Sequence, residues 1–180
     1  MAFLTKEQLK KLGFKRFGEN VLISDKASIY SPEKISIGNH VRIDDFCILS
    51  GSITLGSYIH ISAYTALYGK MGIIMEDYSG LSPRCTIFSA NDDFSGEFMI
   101  SPMVPKEYTN VTGGVITIKR YVQVGTNSIL LPNITLEEGA VVGAMSLVKN
   151  DIPHWELHGG VPTKYIKDRK KDIHEISKLL

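Results

Sequence analysis

The sequence lacks an excess of charge of either sign. Its 180 residues include 20 Lys and Arg and 19 Asp and Glu, which gives a formal net charge of +1 at pH 7. A chain this neutral has no broad basic footprint for nucleic acid or an anionic membrane surface. No apolar run is long enough to cross a bilayer, and charge interrupts the N-terminal apolar residues too early for a signal peptide. We therefore expect a single cytoplasmic domain (1–180) with no nucleic-acid partner and no membrane insertion.

Cysteine and histidine are also scarce. The two cysteines, Cys47 and Cys85, do not form a CxxC pair, which argues against a cysteine metal knuckle and a dithiol redox motif. We expect both to be reduced thiols in the core, where free cysteine is often found. The five histidines are scattered and none lies between Ile61 and Pro153, so we expect no metal.

What the sequence does contain is an internal repeat of six residues. Between Ile118 and Pro153, six consecutive hexads begin with an aliphatic residue and carry a small or β-branched residue in the fifth place. The same period runs from Ile37 to Ile87. It is interrupted once, where the stretch LYGKMGII that begins at Leu67 is two residues too long.

A period of six matches neither a plain strand, which alternates every two residues, nor a helix with 3.6 residues per turn. It suits a short strand followed by a tight corner, so that three units close one triangular coil and coils stack at about 4.8 Å. The aliphatic places would form interior columns. Glycines in the second place would relieve crowding at the corners; these are Gly38, Gly56, Gly125 and Gly143. The repeat therefore predicts an all-β solenoid over residues 21–153.

Two departures from the repeat flank or interrupt the solenoid. Thr5 followed by Gln8 has the pattern of a capping box, which predicts a short helix at about 5–12 inside an N-terminal cap (5–20). Residues 88–114 predict a long loop excursion, because connections of this length are uncommon unless they are functional or disordered. We expect this loop to fold over a binding cleft; a loop that only packs subunits together is the alternative.

After Pro153 the hexads stop. In the tail (154–180), Ile173, Ile176 and Leu180 share one helical face, which predicts an amphipathic C-terminal helix.

Two segments resemble the signature region and closing motif of the hexapeptide-repeat acyltransferases, in particular the galactoside and maltose acetyltransferases. They read VGTNSILLPNITLEEGAVVGAMSLVKNDIP and GVPTK, and the likeness extends over about 35–169. It implies a left-handed parallel β-helix, a handedness that the general crossover rule would not favour. It also implies a homotrimer with sites between subunits. The reaction implied is direct transfer of an acetyl group from acetyl-CoA to a hydroxyl or amino group of a sugar, nucleotide sugar or polysaccharide precursor.

The resemblance assigns the positions that hold acetyl-CoA. Thr126 matches a residue whose backbone N–H faces the thioester oxygen and would stabilise an oxyanion. Ala144 would line the pantetheine slot. Four further positions would lie beside the cofactor or at its phosphates; these are Lys149 and Asn150, where the basic residue has moved by one place, and Lys164 and Arg169.

The general base is where the sequence departs from the family. The sugar acetyltransferases carry a histidine, suited to proton transfer near neutral pH, at the end of the hexad before the long loop. Asp92 occupies that place here. Either His60 is the base and Asp92 or Asp93 orients its imidazole, or one of these aspartates is the base for an amine acceptor, or catalysis has been lost. The acceptor contacts would be Ser62, Asn91 and Phe94.

Two other functions fit the same solenoid. A zinc-dependent carbonic anhydrase needs three histidines around one metal, which this sequence does not offer. A non-catalytic binding or scaffold protein need not recognise acetyl-CoA, so cofactor binding would separate it from a transferase. The motifs favour the acetyltransferase.

Overall fold

The computed structural model describes residues 2–179 and contains a β-solenoid of about seven turns. The predicted solenoid is therefore confirmed. Two short helices lie at its ends, α1 (Lys6–Leu12) and α2 (Ile173–Ser177). Neither of these helices is long and apolar enough to cross a membrane.

The strands are short because each side of the triangle spans only a few residues. In chain order they are β1 (Arg16–Phe17), β2 (Leu22–Ile23), β3 (Ser28–Tyr30), β4 (Ile35–Ile37), β5 (Val41–Ile43), β6 (Ile48–Leu55), β7 (Ile59–Ile61), β8 (Ala66–Met75), β9 (Gly80–Leu81), β10 (Thr86–Phe88), β11 (Ala90–Asn91), β12 (Thr112–Gly113), β13 (Ile116–Ile118), β14 (Gln123–Val124), β15 (Ile129–Leu130), β16 (Thr135–Leu136), β17 (Val141–Val142), β18 (Leu147–Val148), β19 (Glu156–Gly159) and β20 (Lys164–Asp168).

Three parallel sheets form the sides of the solenoid. Face I stacks β2, β5, β7, β9, β14, β17 and β19. Face II stacks β3, the first halves of β6 and β8, then β10, β15 and β18. Face III stacks β1, β4, the second halves of β6 and β8, then β13 and β16. The chain runs from face I to face II to face III, and we name the corners I–II, II–III and III–I accordingly.

The first residue of each hexad points into the solenoid, as the repeat predicts. On face I the column is Ile23, Ile43, Ile61, Leu81, Val124 and Val142, and each of these side chains is at most 1% exposed. Burial of one such side chain stabilises the fold by about 1.5–3 kcal/mol. The columns on the three faces therefore supply most of the driving force for stacking the coils.

The corners are tight because the fourth place of the hexad adopts a left-handed backbone conformation. Residues with a positive φ at this place include His40, Phe46, Tyr58, Tyr64, Tyr78, Arg84, Tyr121, Asn127, Asn133 and Met145. Glycine in the second place is needed where coils approach closely: a Cβ on Gly38 would lie 2.4 Å from the Gly56 carbonyl oxygen. The expectation is wrong for Gly143, where a Cβ would meet its nearest neighbour at an ordinary 3.5 Å.

Both ends of the solenoid lie beyond residues 21–153. At the start, β1 already pairs with β4, and helix α1 is capped by Thr5 through the predicted capping box with Gln8. At the other end β19 continues face I, and β20 returns antiparallel to it.

The C-terminal helix α2 has five residues, and its apolar face is only partly buried in this chain. Ile176 is 58% exposed, and Leu180 lies outside the described residues. Polar contacts hold α2 instead: Tyr121 Oη lies 2.6 Å from Ser177 Oγ, and His174 lies 2.8 Å from Glu138.

The long loop replaces one corner II–III. It leaves face II after β10 and rejoins face III at β13, and an antiparallel pair, β11 with β12, closes its base. This stem positions the polar residues that follow β11 at the edge of the solenoid.

Candidate functional site

A cleft of about 600 Å³ opens at corner II–III, between the solenoid and the base of the long loop. Residues 50–52 of β6 and Tyr68 of β8 form its solenoid side, and Asn91 and Asp92 form its loop side. A smaller cavity of about 350 Å³ adjoins it under the loop and shares Asp92 with it. A cleft therefore lies at the base of the loop, and its role in binding stays a prediction.

Two glycines that pair in successive coils, Gly51 and Gly69, lie at corner II–III. A Cβ on Gly51, whose φ is +89°, would lie 2.6 Å from the Gly69 carbonyl oxygen, and a Cβ on Gly69 would lie 2.6 Å from that of Ser52. Only glycine allows successive coils to stack this closely here. The glycines therefore bring the two coils close together beside the cleft.

Of the four loop residues predicted to act, two reach the cleft. Asn91 and Asp92 line it. The carboxylate of Asp93 instead accepts hydrogen bonds from the Ser95 hydroxyl at 2.8 Å and from the Phe98 N–H at 3.4 Å. The bond from Ser95 is the main reason why the pKa of Asp93 is lowered. Phe94 is 85% exposed and does not line either cavity. Asp93 therefore stabilises the loop through its hydrogen bonds, and Phe94 lies on the surface of the loop.

His60 lies on face I, and its carboxylate partner is a residue that the sequence did not suggest. Its Nε2 is 2.8 Å from Oδ2 of Asp44, whose Oδ1 accepts a bond of 2.7 Å from Arg42 Nε. Burial raises the pKa of Asp44, but the hydrogen bonds from Arg42 and His60 outweigh it and lower the pKa overall. Within residues 2–179, neither Asp92 nor Asp93 orients His60, because face II separates these aspartates from face I.

A second polar surface therefore lies at corner I–II, beside His60. Ser62 follows His60 at this corner, and one coil later Ser82 accepts a hydrogen bond of 3.1 Å from Gln123 Nε2. Ser82 was missed at the sequence level. It shares the second hexad place with Ser62, which is the signal that could have found it.

The predicted cofactor residues are divided among three regions. Thr126 and Ala144 lie in successive coils at corner I–II, whereas Lys149 and Asn150 are exposed at corner II–III. The backbone N–H of Thr126 has no hydrogen-bond partner within the described part of the chain. Lys164 is an exposed residue of β20.

Arg169 is occupied by the protein itself. Its Nη1 donates to the carbonyl oxygens of Tyr121 at 2.6 Å and Gly139 at 3.0 Å, and the guanidinium lies 5.9 Å from the centre of the Trp155 ring. Burial lowers the pKa of Arg169. These contacts fasten the tail to the solenoid, and contact of Arg169 with a cofactor phosphate stays a prediction.

In the described part of the chain, no three His, Cys, Asp or Glu side chains converge as a metal site requires. The residues at the two corners are donors and acceptors of hydrogen bonds and of protons. They suit group transfer between organic substrates.

Comparison with known proteins gives close relatives, although no protein-family model matches. A dTDP-4-amino-4,6-dideoxy-D-glucose acyltransferase of Escherichia coli is 47% identical over 179 residues, which is 98% of this chain and 93% of the relative. AntD, an N-acyltransferase from Bacillus cereus solved with dTDP and 3-hydroxybutyryl-CoA, is 52% identical with a TM-score of 0.95, covering 98% of this chain and 95% of AntD.

A more distant structure shares only the fold. The hexapeptide-repeat-containing acetyltransferase VCA0836 from Vibrio cholerae is 18% identical, with a TM-score of 0.59 over 92% of this chain and 80% of its own. Three findings point to the same family: the hexads, the three-sided solenoid, and the likeness to the E. coli and B. cereus enzymes over nearly the whole chain. The protein belongs to the hexapeptide-repeat acyltransferases, enzymes built on a left-handed parallel β-helix.

Proposed function

We propose that the protein transfers an acyl group from acyl-CoA to the amino group of a dTDP-linked 4-amino-4,6-dideoxy sugar. The observation that carries this proposal is Asp92 in the cleft at corner II–III, in a chain so similar to two acyltransferases of this substrate class. AntD has been solved with dTDP-4-amino-4,6-dideoxyglucose and coenzyme A together. Acetyl-CoA and 3-hydroxybutyryl-CoA are the donors to test first.

An amine acceptor explains how an aspartate can stand where the sugar acetyltransferases have histidine. The amine nitrogen attacks the thioester carbon, loses one proton and expels the thiolate, which leaves as CoA–SH. A carboxylate is a weak base, but a neutral amine is already a good nucleophile and needs only a nearby acceptor for its proton. Asp92 is that acceptor in the proposal, and the unpaired N–H of Thr126 supports a role in stabilising the oxyanion.

The positions altered in AntD variants support Asp92 and add a serine. Variants of AntD carry substitutions at a serine and at an aspartate ten positions further on. In this chain Ser82 and Asp92 have the same spacing. Ser82 lies at corner I–II beside His60 and Ser62, whereas Asp92 lies beyond face II at corner II–III.

The separation of these two residues favours a site built from two chains. Thr126, Ala144 and Ser82 lie at one edge of face II, and Asp92 lies at the other edge. If all of them serve one reaction, corner I–II of one subunit has to meet the cleft of its neighbour. A homotrimer with closed threefold symmetry provides three such sites. In this arrangement His60 and Ser62 border the bound acceptor from the neighbouring subunit.

The test is an acyl-transfer assay with the purified protein. We expect release of free CoA thiol and an acylated sugar nucleotide when dTDP-4-amino-4,6-dideoxyglucose is supplied with acetyl-CoA or 3-hydroxybutyryl-CoA. Asp92→Asn should lower kcat by about 100-fold or more, within the usual contribution of a general base. Asp93→Asn is the matched control, because Asp93 is bonded to Ser95 outside the cleft.

Two results would contradict the proposal. One is a folded protein that gives no product with any amino-sugar nucleotide and shows no rise in melting temperature with acetyl-CoA, which would favour a scaffold. A ligand at a hundred times its Kd should stabilise the fold by about 2.7 kcal/mol. The other is full activity of Asp92→Asn together with inactivity of His60→Ala, which would make His60 the base.

A further inference from the structure

Three lysines from separate parts of the chain line the cleft at corner II–III or the cavity that adjoins it. Lys34 ends a 3₁₀ turn (Pro32–Lys34), Lys70 belongs to β8, and Lys106 begins a 3₁₀ turn (Lys106–Tyr108) in the long loop. Lys34 and Lys70 line the cleft, and Lys70 and Lys106 line the adjoining cavity, with Asp92 common to both. We propose that these lysines bind the diphosphate of the acceptor and so restrict the enzyme to nucleotide-linked sugars; this rests on the function proposed above.

The two-residue interruption of the repeat delivers Lys70 to this position. Strand β8 crosses the corner without a break, and its pairing with β6 shifts register between Gly51 and Ile53. Lys70 follows Gly69, which pairs with Gly51, a residue that lines the cleft. The two extra residues in this part of the repeat thus place the flexible cationic side chain of Lys70 at the cleft.

None of the three lysines forms an ion pair within residues 2–179. Lys26, Lys119 and Lys178, by contrast, each lie within 3.5 Å of a carboxylate oxygen. Like charges that share a small space repel each other unless an anion lies between them. Because the whole chain carries a net charge of only +1, this cluster is a local feature of the cleft.

The charge pattern of the cleft complements the two ends of an amino-sugar nucleotide. The lysines suit the diphosphate, since ammonium groups bind phosphate oxygens as point charges. The single carboxylate of Asp92 suits the amine of the sugar. The ring of Tyr68, stacked on Phe88 at 5.3 Å and 37% exposed, offers an apolar surface for the base.

Coenzyme A also contains a diphosphate, so the ligand chemistry alone does not distinguish donor from acceptor. The acceptor is favoured because Asp92, which would receive the proton of the amine, lines the same cleft.

The experiment is calorimetric titration of the intact protein with dTDP and, separately, with CoA. Lys34→Ala and Lys70→Ala should each weaken dTDP binding about tenfold, roughly the loss of one hydrogen bond to a charged group. Lys70→Arg should retain most of the affinity, because it keeps the charge. Binding of CoA should stay within about twofold of the native protein in all of these variants. Lys10→Ala, in the exposed face of α1, is the control, and melting temperatures verify that each variant is folded.

Three results would overturn the inference. They are no binding of dTDP to the native protein, unchanged dTDP affinity in the Lys34→Ala/Lys70→Ala double variant, and loss of CoA affinity in place of dTDP affinity. Acyl transfer is measured in parallel. Transfer by the native protein together with normal dTDP binding by the variants refutes the lysine assignment alone. If dTDP binding depends on the lysines but the native protein transfers no acyl group to any amino-sugar nucleotide, the proposed function is refuted and the lysine assignment stands.

Discussion

Small polar side chains at corner I–II have a bonding role as well as a small volume. The fifth hexad place on face II carries side chains that donate to a corner carbonyl of the next coil. These pairs are Cys47 with Ser62 at 3.2 Å, Thr65 with Ser82 at 3.2 Å, Cys85 with Gly125 at 3.2 Å and Ser128 with Gly143 at 3.0 Å. Buried carbonyl oxygens need hydrogen-bond donors. Alanine in the fifth hexad place would fit the available space but would leave the carbonyl oxygen of the next coil less well bonded.

The two thiols should be inert in the native protein. Burial raises the pKa of both Cys47 and Cys85 to about 11. Since the thiolate is the reactive form, we expect no reaction with Ellman's reagent at pH 8 over the minutes in which both thiols react in denaturant. Rapid labelling of the folded protein would contradict this expectation.

The pair of Asp44 and His60 should make stability depend on pH in the acid range. The pKa of Asp44 is lowered in the folded state, so its contribution is present above the unfolded pKa and is lost as pH falls through the folded pKa. Asp44→Asn should reduce the free energy of unfolding by about 1–3 kcal/mol at pH 7. Urea unfolding from pH 7 to pH 3 should show the difference between the variant and the native protein shrinking below about pH 4.

Asp25→Asn provides the control for Asp44, because no side-chain hydrogen bond or ion pair of Asp25 is found in the described part of the chain. A constant gap between Asp44→Asn and the native protein across this pH range would show that charge is not the source of the effect.

At the scale of the elements, the corners determine how closely the coils stack. Corner III–I carries a continuous stack of rings, with neighbouring centroids 4.7–6.0 Å apart. Its members are His40, Tyr58, Tyr78, Tyr121 and Trp155. Offset stacking of this kind adds stability beyond the apolar area that it buries. The left-handed fourth place points these rings outward along one edge, where the tail covers the last of them.

Two corner glycines form a matched pair for testing the spacing of the coils. In Gly56→Ala the new Cβ would lie 2.5 Å from Oδ1 of Asp77, which accepts the N–H of Ser57. In Gly143→Ala it would meet its nearest neighbour at 3.5 Å. Urea denaturation should show a loss of about 1–3 kcal/mol for Gly56→Ala and a change within about 0.5 kcal/mol for Gly143→Ala. Equal effects at the two positions would refute the explanation by close approach.

The attachment of the tail depends on Arg169. Its replacement by alanine leaves the carbonyl oxygens of Tyr121 and Gly139 without their donor and removes the cation from the Trp155 ring. We expect Arg169→Ala to lower the free energy of unfolding by about 2 kcal/mol. Affinity for CoA should match that of the native protein in calorimetry. A loss of CoA affinity in Arg169→Ala would support the phosphate role expected from the sequence.

At the scale of the whole molecule, the two polar corners of one chain face different sides of the solenoid. A catalytic unit made from two chains can be tested by complementation. Chains that carry Asp92→Asn and chains that carry Ser82→Arg should each be inactive alone. When the two are assembled together at equal amounts, about a quarter of native activity should return, because about a quarter of randomly formed interfaces pair an intact corner I–II with an intact cleft.

Differently tagged subunits isolate the mixed assemblies, and light scattering after size-exclusion chromatography gives the oligomeric mass. A monomeric native enzyme with full activity, or mixed trimers without any recovery, would refute a site shared between chains.

The hexad by itself determined the fold because it repeats a local rule. An aliphatic first place, a small fifth place and a tight fourth place fix one strand and one corner, and repetition stacks them into columns such as Ile43, Ile61 and Leu81. The capping box at Thr5 and the loop that begins after Phe88 were equally local signals. The ends of the solenoid had no such local signal, because β1 and β19 form strands only through pairing with the coils on which they stack.

The candidate site depended on the tertiary structure for the same reason. The phase of the hexad tells which place a residue occupies, and the resemblance to the sugar acetyltransferases then marked Asp92 as the residue that stands where they have histidine. Which side chain lies beside a given site residue depends on which segments of the chain the fold brings together, and the hexad does not specify this. His60 therefore finds Asp44 on the preceding coil. Lys34 and Lys70 line the cleft, and Lys70 and Lys106 line the adjoining cavity, only because the fold brings distant segments of the chain to the same corner.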